Sequence, residues 1–224
     1  MKHVIVAVTG ASGGLYALRL LRALLAGGHQ VSVVLSGFGR YVLREETGLG
    51  TGGDLQDGLA GLYGDQLRKG TLTEYKIGDL AASIASGSVR TDGMVVIPCS
   101  MKTLSAIAHG TSSSLIERAA DVTLKEARPL VLVPRETPLN VIHLRNLLAA
   151  AEAGARIVPA MPAFYQKPSS FDDLADFIAG RVLNLLGIEQ SLFTPWDATS
   201  GGEPERGEEP EGGGEPERGE ESAG

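Results

Sequence analysis

A glycine-rich turn near the amino terminus, residues 10–14, has the composition of a phosphate-binding site. Gly10, Gly13 and Gly14 carry no side chain, so the backbone can approach a ligand closely, and Ser12 adds a hydroxyl at the start of the next helix. The first N–H groups of a helix have no carbonyl partner within it, and together with the helix dipole they attract an anion. The turn therefore predicts unpaired N–H donors for a phosphate.

Polar and charged residues also follow three later runs of β-branched residues. Ser36 ends the second run, Ser100 to Thr103 follow the third, and Arg135 with Glu136 follow the fourth. Ligands of open α/β sheets bind beyond the carboxyl ends of the parallel strands. We therefore expect these residues and the glycine-rich turn to converge on one crevice.

The elements that would position these residues alternate along the chain. Val-rich runs bounded by turn residues predict strands, and apolar residues at three- and four-residue steps predict amphipathic helices. The predicted strands are 4–8, 29–36, 93–98, 128–134 and 155–160, and the predicted helices are 15–26, 37–47, 100–109, 114–128, 139–154 and 171–187. This alternation predicts an α/β fold, a three-layer Rossmann-like doubly wound parallel sheet in a single domain.

Composition divides the chain into a body and a tail. Residues 48–70 are rich in glycine with no sustained period, so we expect an insertion that forms a long surface excursion. The sequence GGEPERGEE occurs at 201–209 and again at 213–221 with nothing apolar in it, which predicts a disordered acidic tail over 198–224. The expected folded domain is 1–197.

Charge and cysteine usage exclude several classes of function. The tail from residue 201 carries nine Glu and two Arg, so residues 1–200 hold 18 acidic and 18 basic residues. A neutral body argues against nucleic acid as a partner. No run of about 18 uncharged apolar residues occurs, so we expect a soluble cytoplasmic protein that does not enter a membrane. Cys99 is the single cysteine and the four histidines are isolated, so we expect no disulfide and no metal.

The glycine-rich turn alone leaves the ligand open. A dinucleotide fingerprint needs G-x-G-x-x-G and an acid about 20 residues later, whereas here the second strand ends in Ser36. Short-chain dehydrogenases would have a glycine where Tyr16 stands, and no Tyr-x-x-x-Lys occurs in the chain. These features favour a mononucleotide such as FMN. An NAD(P)-linked short-chain-type reductase and a non-catalytic FMN carrier are the alternatives.

Several longer motifs together resemble one family. TGASG, VIPCSMKTLSAIAHG, LIERAADVTLKEARPLVLVPRETPL, PAFYQKP and the segment 181–196 closely resemble the flavin prenyltransferases, the UbiX-like family. The resemblance covers residues 1–197 apart from the glycine-rich insertion. It implies a homododecamer that works without metal in ubiquinone biosynthesis. The implied reaction joins dimethylallyl monophosphate to N5 and C6 of reduced FMN, and the prenylated FMN serves a UbiD-like decarboxylase.

The resemblance also implies roles for individual residues. The implied FMN site consists of Gly10, Ala11, Ser12, Ser36, Ser100, Met101, Lys102, Thr103 and Arg135. The implied prenyl-phosphate site consists of Lys125, Glu136, Tyr165, Arg181 and Trp196, with Arg181 supplied by a neighbouring subunit. The implied catalytic residues are Ser12, Glu46, Arg118 and Glu136.

Elementary chemistry agrees with these roles. Breaking an allylic C–O bond leaves a phosphate dianion and a delocalised cation, which require fixed cations and an aromatic wall. Lys125, Tyr165 and Arg181 are of the right types. Ordinary alternatives remain for each residue: a solvated stripe for Arg118 and Lys125, and packing or surface positions for Tyr165, Arg181 and Trp196.

Two carboxylates are candidates for proton transfer during ring closure. Glu46 has no cation beside it in the sequence, so we predict that it is the general base that takes the proton from flavin C6. Glu136 follows Arg135 directly, which suits a residue that orients cations and exchanges a proton with the leaving group.

Overall fold

The computed structural model describes residues 1–49, 55–67 and 69–196, with only the backbone at 65 and 66. The strands are β1 His3–Val8, β2 Gln30–Leu35, β3 Thr71–Tyr75, β4 Gly93–Cys99, β5 Leu130–Pro134 and β6 Arg156–Ile157. The α-helices are α1 Gly14–Ala26, α2 Gly37–Thr47, α3 Leu55–Tyr63, α4 Met101–Ala108, α5 Leu115–Lys125, α6 Val141–Glu152 and α7 Phe171–Leu185. Short 3₁₀ turns occupy Gly64–Leu67, Ser83–Ala85 and Phe164–Gln166.

All strand pairs of the six-stranded sheet are parallel, in the order β3-β2-β1-β4-β5-β6. The order reverses between β1 and β4, which makes the gap beyond their carboxyl ends the expected ligand crevice. Helices α1, α2, α3 and α7 pack on one face of the sheet, and α4, α5 and α6 pack on the other. The predicted three-layer, doubly wound parallel fold is confirmed.

The central strands are apolar on both faces because both faces are covered. Val4 and Val6 of β1 face the layer that contains α1, whereas Ile5 and Ala7 face the layer that contains α4. Such continuous apolar runs are typical of parallel strands that are buried on both sides. Burial of each large apolar side chain contributes about 1.5–3 kcal/mol, so the strand tips are set on a rigid base.

A buried ion pair fixes α7 against α1. Arg19 is 8% exposed; its Nη1 lies 2.9 Å from Asp172 Oδ2, and its Nε lies 2.6 Å from Asp176 Oδ1. The Asp176 hydrogen bond is the main cause that raises the pKa of Arg19. Removing Arg19 would leave a carboxylate without its cation, at a cost of about 3–5 kcal/mol. Helix α7 is therefore held firmly in the layer that carries the glycine-rich turn.

Two elements differ from the sequence predictions. Within the predicted surface excursion, residues 55–63 form α3, whose Leu55 and Leu59 are buried against the α1 layer. The expectation of no periodic structure there is wrong, because an apolar pair at i and i+4 outweighs the single glycine between them. The edge strand β3 was not predicted, because its alternating residues are mostly polar and only partly buried.

Residues Met1–Thr194 form one compact unit, and Pro195–Gly224 form a second, of which Pro195 and Trp196 are described. The predicted boundary at 197 stays a prediction, and the predicted tail over 198–224 lies outside the described residues. The same holds for 50–54 and 68 within the predicted insertion. Across the described ranges, every helix is too short or too polar to cross a bilayer.

Candidate active site

A cavity of about 510 Å³ lies beyond the carboxyl ends of β1, β2 and β4. It therefore sits at the point where the strand order reverses. Its lining is Gly10, Ser36, Gly37, Phe38, Ile77, Ser100, Lys102, Thr103, Ser113, Ser114, Ile116 and Glu117. The volume is within the range of small-molecule and cofactor sites, about 300–1,000 Å³. Five residues of the predicted FMN site thus come together here: Gly10, Ser36, Ser100, Lys102 and Thr103.

Three serine-capped helices, α2, α4 and α5, begin at this cavity. The Ser36 hydroxyl caps α2 by accepting the Gly39 N–H at 2.9 Å, and the Ser100 hydroxyl caps α4 by accepting the Thr103 N–H at 3.4 Å. The first N–H groups of each helix have no intrahelical acceptor, and the dipoles add partial positive charge. With the exposed Lys102 at the same place, the cavity suits a phosphate.

A buried threonine fixes the spacing between the strands that frame the cavity. Thr9 Oγ1 donates to the Pro98 carbonyl at 2.7 Å and accepts the Ser100 N–H at 2.7 Å. The residue that follows β1 is thereby joined to the cap that follows β4. Thr9 was not predicted as a site residue, because it carries no charge and lies at a strand end.

The glycine-rich turn has a partner that was not predicted. Glu46, at the end of α2, accepts the Gly13 N–H at 2.9 Å and the Gly14 N–H at 2.7 Å through Oε2. A Cβ on Gly14 would lie 3.3 Å from the same oxygen, so the glycine allows this approach. The expectation that these two N–H groups are available to a phosphate is wrong, because a carboxylate of the same chain occupies them.

Arg135 holds the opposite side of the same turn. Its Nε donates to the Ser12 carbonyl at 3.0 Å, and its backbone N–H reaches the Cys99 carbonyl at 3.4 Å. The structure therefore brings together three predicted residues, Ser12, Glu46 and Arg135, around the start of α1. Ser12 itself is exposed, so its hydroxyl is accessible to a ligand.

The predicted prenyl-phosphate residues are spread over several elements. Tyr165 packs edge-on against Phe177 of α7 with ring centroids 6.1 Å apart. Arg181 is exposed and stands one helical turn after Phe177, hence on the same stripe of α7. Glu136 is exposed and accepts the N–H of Thr137 at 3.0 Å. Trp196 is 67% exposed and belongs to the second unit.

Arg118 and Lys125 do share one face of α5, as predicted. Arg118 Nε donates to the Ala85 carbonyl at 3.3 Å, and Nη1 lies 3.2 Å from Asp121 Oδ2. Lys125 Nζ lies 2.9 Å from Glu126 Oε1, and this contact is the main cause that lowers the pKa of Glu126. Lys125 lines a separate hollow of about 400 Å³, so the chain alone does not bring it to the larger cavity.

Three residues beside the cavity, Ala11, Cys99 and Met101, are buried. Met101 and Ala11 are 9% and 8% exposed, so a bound cofactor would contact chiefly their backbone. Cys99 is fully buried, and burial raises its pKa to about 12, which leaves the thiol unreactive at neutral pH. The interpretation of Cys99 as a small buried residue agrees with this.

Seven lining residues were missed: Gly37, Phe38, Ile77, Ser113, Ser114, Ile116 and Glu117. One signal was available, since a run of serines before an amphipathic helix is a capping signature. Ser114 caps α5, and the buried Glu117 accepts the Ser113 N–H at 2.7 Å. The side chains of Phe38 and Ile77 gave no signal of their own. Within the described ranges, no three His, Cys, Asp or Glu side chains gather as a metal site requires.

Sequence comparisons place the chain among known proteins. Residues 1–183 match the Flavoprotein family model. Flavin prenyltransferase UbiX of Alkalihalophilus pseudofirmus is 50% identical over 195 residues, which are 87% of this chain and 96% of that protein. The chain belongs to the flavin prenyltransferase family. The UbiX protein of Pseudomonas aeruginosa is 43% identical to this prenyltransferase over 87% of the chain and 94% of its own length.

Solved structures agree with the flavin prenyltransferase fold. AnUbiX in complex with FMN and dimethylallyl pyrophosphate has a TM-score of 0.78 and 42% identity, over 88% of this chain and 97% of that one. A dodecameric FMN-dependent UbiX-like decarboxylase from Escherichia coli O157:H7 has a TM-score of 0.77 and 42% identity, over 87% and 99%. The family resemblance inferred from the motifs is confirmed.

Proposed function

We propose that this chain transfers a dimethylallyl group from dimethylallyl monophosphate to N5 and C6 of reduced FMN. The observation that carries the proposal is the cavity where the strand order reverses, with serine-capped helix ends and Lys102 around it. A mononucleotide requires one anion site beside a planar ring site. The adjacent turn with Ser12, Glu46 and Arg135 supplies polar groups for the ring.

The FMN phosphate is assigned to the amino termini of α2 and α4. Gly37 and Lys102 carry N–H groups that no carbonyl of their own helix accepts. The assignment departs from the phosphate position expected from the glycine-rich turn, whose N–H groups bind Glu46. In this arrangement the turn faces the isoalloxazine, and Gly10, Ala11 and Ser12 approach the ring through their backbone. A Cβ on Gly10 would lie 2.6 Å from Phe38 Cβ, so a glycine is required at this position.

The reaction divides into two bond-forming steps. In the first, flavin N5 forms a bond to the allylic carbon as the C–O bond breaks, and the proton of N5 passes to the phosphate, which leaves as inorganic phosphate. In the second, the C6–H bond adds across the prenyl double bond, so C6 loses a proton and the alkene gains one. Glu46 is the base at C6, and Glu136 exchanges a proton with the leaving group. Lys125, Tyr165 and Arg181 stabilise the departing phosphate.

The donor site requires a second subunit in this proposal. Arg118 and Lys125 lie on α5, whereas Arg181 lies on α7 and Tyr165 packs against α7 from a 3₁₀ turn. Self-association would bring such groups to one cavity. Helix α6 supports it, because Val141, Ile142, Leu144 and Leu148 are each more than half exposed. An apolar helix face of this kind marks an interface between protein chains.

The proposed assembly is a homododecamer, and light scattering tests it. The double variant Ile142→Asp, Leu148→Asp should have a lower particle mass. Each new carboxylate would be buried in an apolar contact without a cation to pair with, which disfavours association. Leu62→Asp is the matched control, since Leu62 is half exposed on α3, away from α6. Removal of 201–224 should leave the mass unchanged, because no apolar group is lost. A monomeric unmodified chain would contradict the proposal.

The product is proposed to serve a UbiD-like decarboxylase. Prenylated FMN has no further role in a protein that only makes it, so it must pass to another protein. Addition of the reaction mixture to an apo decarboxylase of that class should restore decarboxylation. A mixture made without the prenyl donor is the control.

One incubation separates the proposed activity from its alternatives. The chain is mixed with reduced FMN and dimethylallyl monophosphate, and the flavin is followed by mass and absorbance. The proposal requires a product heavier by one prenyl unit and an equal amount of inorganic phosphate. A carrier would bind FMN without changing its mass, and a nicotinamide-linked reductase would not retain FMN. Either result would reject the proposed function.

A further inference from the structure

We propose that Tyr16 is a positioning residue for Glu46, acting through the glycine turn to which Glu46 is bound. The role of Glu46 at flavin C6 rests on the proposed function. The contact of Tyr16 with the turn does not. Tyr16 entered the sequence analysis only as a residue that argues against a short-chain dehydrogenase, and no role was given to it.

Tyr16 supports Gly13 through both its backbone and its ring. Gly13 has φ 115°, in the left-handed region that favours glycine. The Tyr16 N–H donates to the Gly13 carbonyl at 3.0 Å. A Cβ on Gly13 would lie 2.7 Å from Tyr16 Cδ2 and 2.9 Å from Cε2, so the ring covers the α-carbon of the glycine directly. The Tyr16 ring thus limits backbone rotation at Gly13, which as a glycine has little conformational preference of its own.

The conformation of Gly13 decides where two N–H groups point. Those of Gly13 and Gly14 both meet the Glu46 carboxylate, at 2.9 and 2.7 Å. Helix α2 approaches closely at the same place, since Leu43 Cα lies 3.1 Å from a Cβ on Gly14. A Gly13 that turns away would remove one donor and misalign the other. Glu46 would then lose the anchor that fixes its direction.

The ring of Tyr16, rather than its hydroxyl, carries this role. Burial is the main cause that raises the pKa of Tyr16; the Arg135 charge lowers it, and the Glu46 charge raises it further. The phenol therefore stays protonated through neutral pH and does not act as a base. Tyr16→Phe should therefore keep the positioning role, because the ring contact on Gly13 is kept.

Amide exchange tests the contact without relying on catalysis. Deuterium uptake is measured over residues 10–16 by mass spectrometry in the full chain. Tyr16→Leu, which keeps an apolar side chain but no planar ring, should lose protection there, as should Glu46→Gln to a smaller extent. Tyr16→Phe should match the unmodified chain. Tyr63→Leu is the control, since Tyr63 packs against the same core layer beneath Arg22, outside the cavity.

The ratio of open N5 adduct to closed product tests the consequence. Tyr16→Leu should raise this ratio about 10- to 100-fold, the scale of a misplaced catalytic group. FMN affinity and the KM for the prenyl donor should stay within about threefold, which a general loss of structure would not allow. Tyr16→Phe should restore the ratio. The double variant Tyr16→Leu, Glu46→Gln should have nearly the same ratio as Glu46→Gln alone, because both substitutions remove the same function of Glu46.

Unchanged exchange over 10–16 in Tyr16→Leu would overturn the proposal, and so would a normal product ratio in that variant. Additive effects in the double variant would also overturn it, since Tyr16 would then act independently of Glu46. A chain that makes no prenylated flavin at all would reject the proposed function instead. In that case lost protection in Tyr16→Leu with recovery in Tyr16→Phe would still support the positioning role.

Discussion

The two halves of the candidate site are built differently. The cavity beyond β1, β2 and β4 is lined by neighbouring strand ends of one chain, with capped helix ends and a threonine that joins two strand tips. The donor-side residues lie on α5, on α7 and after β5, and Arg181, Lys125 and Glu136 are exposed. The cofactor half therefore follows from the topology of the sheet. The donor half, as proposed, depends on assembly.

The difference has a physical cause. The carboxyl ends of parallel strands meet at one edge of the sheet, so the topology alone brings together the residues that follow them. Surface charges on helices have no such constraint, and a neighbouring subunit can use them where they stand. If this comparison holds, changes in the first half should affect flavin steps within each chain. Changes in the second half should affect the donor and be complemented between chains.

The largest effect is expected from Glu46→Gln. Loss of a general base should slow ring closure about 10²- to 10⁴-fold, while N5 alkylation proceeds, so the open adduct should accumulate. Mass and absorbance together follow both species. Glu45→Gln is the matched control, because Glu45 is exposed and pairs only loosely with Arg44 at 3.4 Å.

Glu136→Gln should show the opposite pattern and slow the first step. Closed product formed at the normal rate by Glu46→Gln would reject this division between the two carboxylates. It would also place Glu46 among the residues that merely hold the turn.

The next largest effect is expected from Ser36→Asp on FMN affinity. Aspartate also caps a helix well, so α2 should stay intact while a negative charge is placed against the FMN phosphate. The repulsion should weaken FMN about 30-fold, or about 2 kcal/mol, as measured by flavin fluorescence titration. Ser170→Asp changes the cap of α7 in the same way outside the cavity lining. Equal FMN affinities of Ser36→Asp and Ser170→Asp would reject the assignment of the FMN phosphate to the amino terminus of α2.

Ser12→Asp tests the turn beside that phosphate site. The new carboxylate would face the flavin ring or phosphate, and FMN should bind at least about 10-fold more weakly. Unchanged FMN affinity would remove the turn from the cofactor site.

A smaller effect on a different substrate is expected from Arg181→Ala. The KM for dimethylallyl monophosphate should rise about 10-fold, as for loss of one charge-assisted contact, with FMN affinity unchanged. Arg22→Ala, on α1 and stacked on Tyr63, is the control.

Mixing subunits sharpens the comparison further. Oligomers reassembled from Arg181→Ala and Glu46→Gln chains should regain part of the activity if the two residues serve one site from different chains. If mixing restores no activity, Arg181 and Glu46 of one site come from the same chain.

The smallest effect is expected from Asp173→Asn, at the start of α7. Hydrogen bonds from the Ser169 backbone and side chain are the leading causes that lower the pKa of Asp173. Its stabilising contribution is therefore present above the unfolded pKa near 3.8 and is lost as pH falls through the lower folded value. Asp173→Asn should lower the Tm by about 1–3 °C at pH 7, and the difference should be smaller at pH 2. An equal difference at both pH values would contradict the linkage.

Much of the fold could be predicted from local pattern. Val-rich runs, serine caps and amphipathic periods predicted five of the six strands and six of the α-helices, because each signal lies within one element. The edge strand β3 and helix α3 were not predicted. Strand β3 has few apolar residues and two glycines interrupt α3, so burial against β2 and the α1 layer decides their structure.

The sequence by itself determined which residues end the strands, and hence the composition of the cofactor crevice. Only the tertiary structure decided that Glu46 meets the glycine turn 33 residues away and that Arg135 reaches Ser12 across 123 residues. Spacing along a chain carries no information about which helix end faces which turn. That choice is made by packing, here by Leu43 against Gly14 and by the Tyr16 ring on Gly13. The physical reason is that a carboxylate and a backbone N–H bind whichever partner the buried core brings within 3 Å.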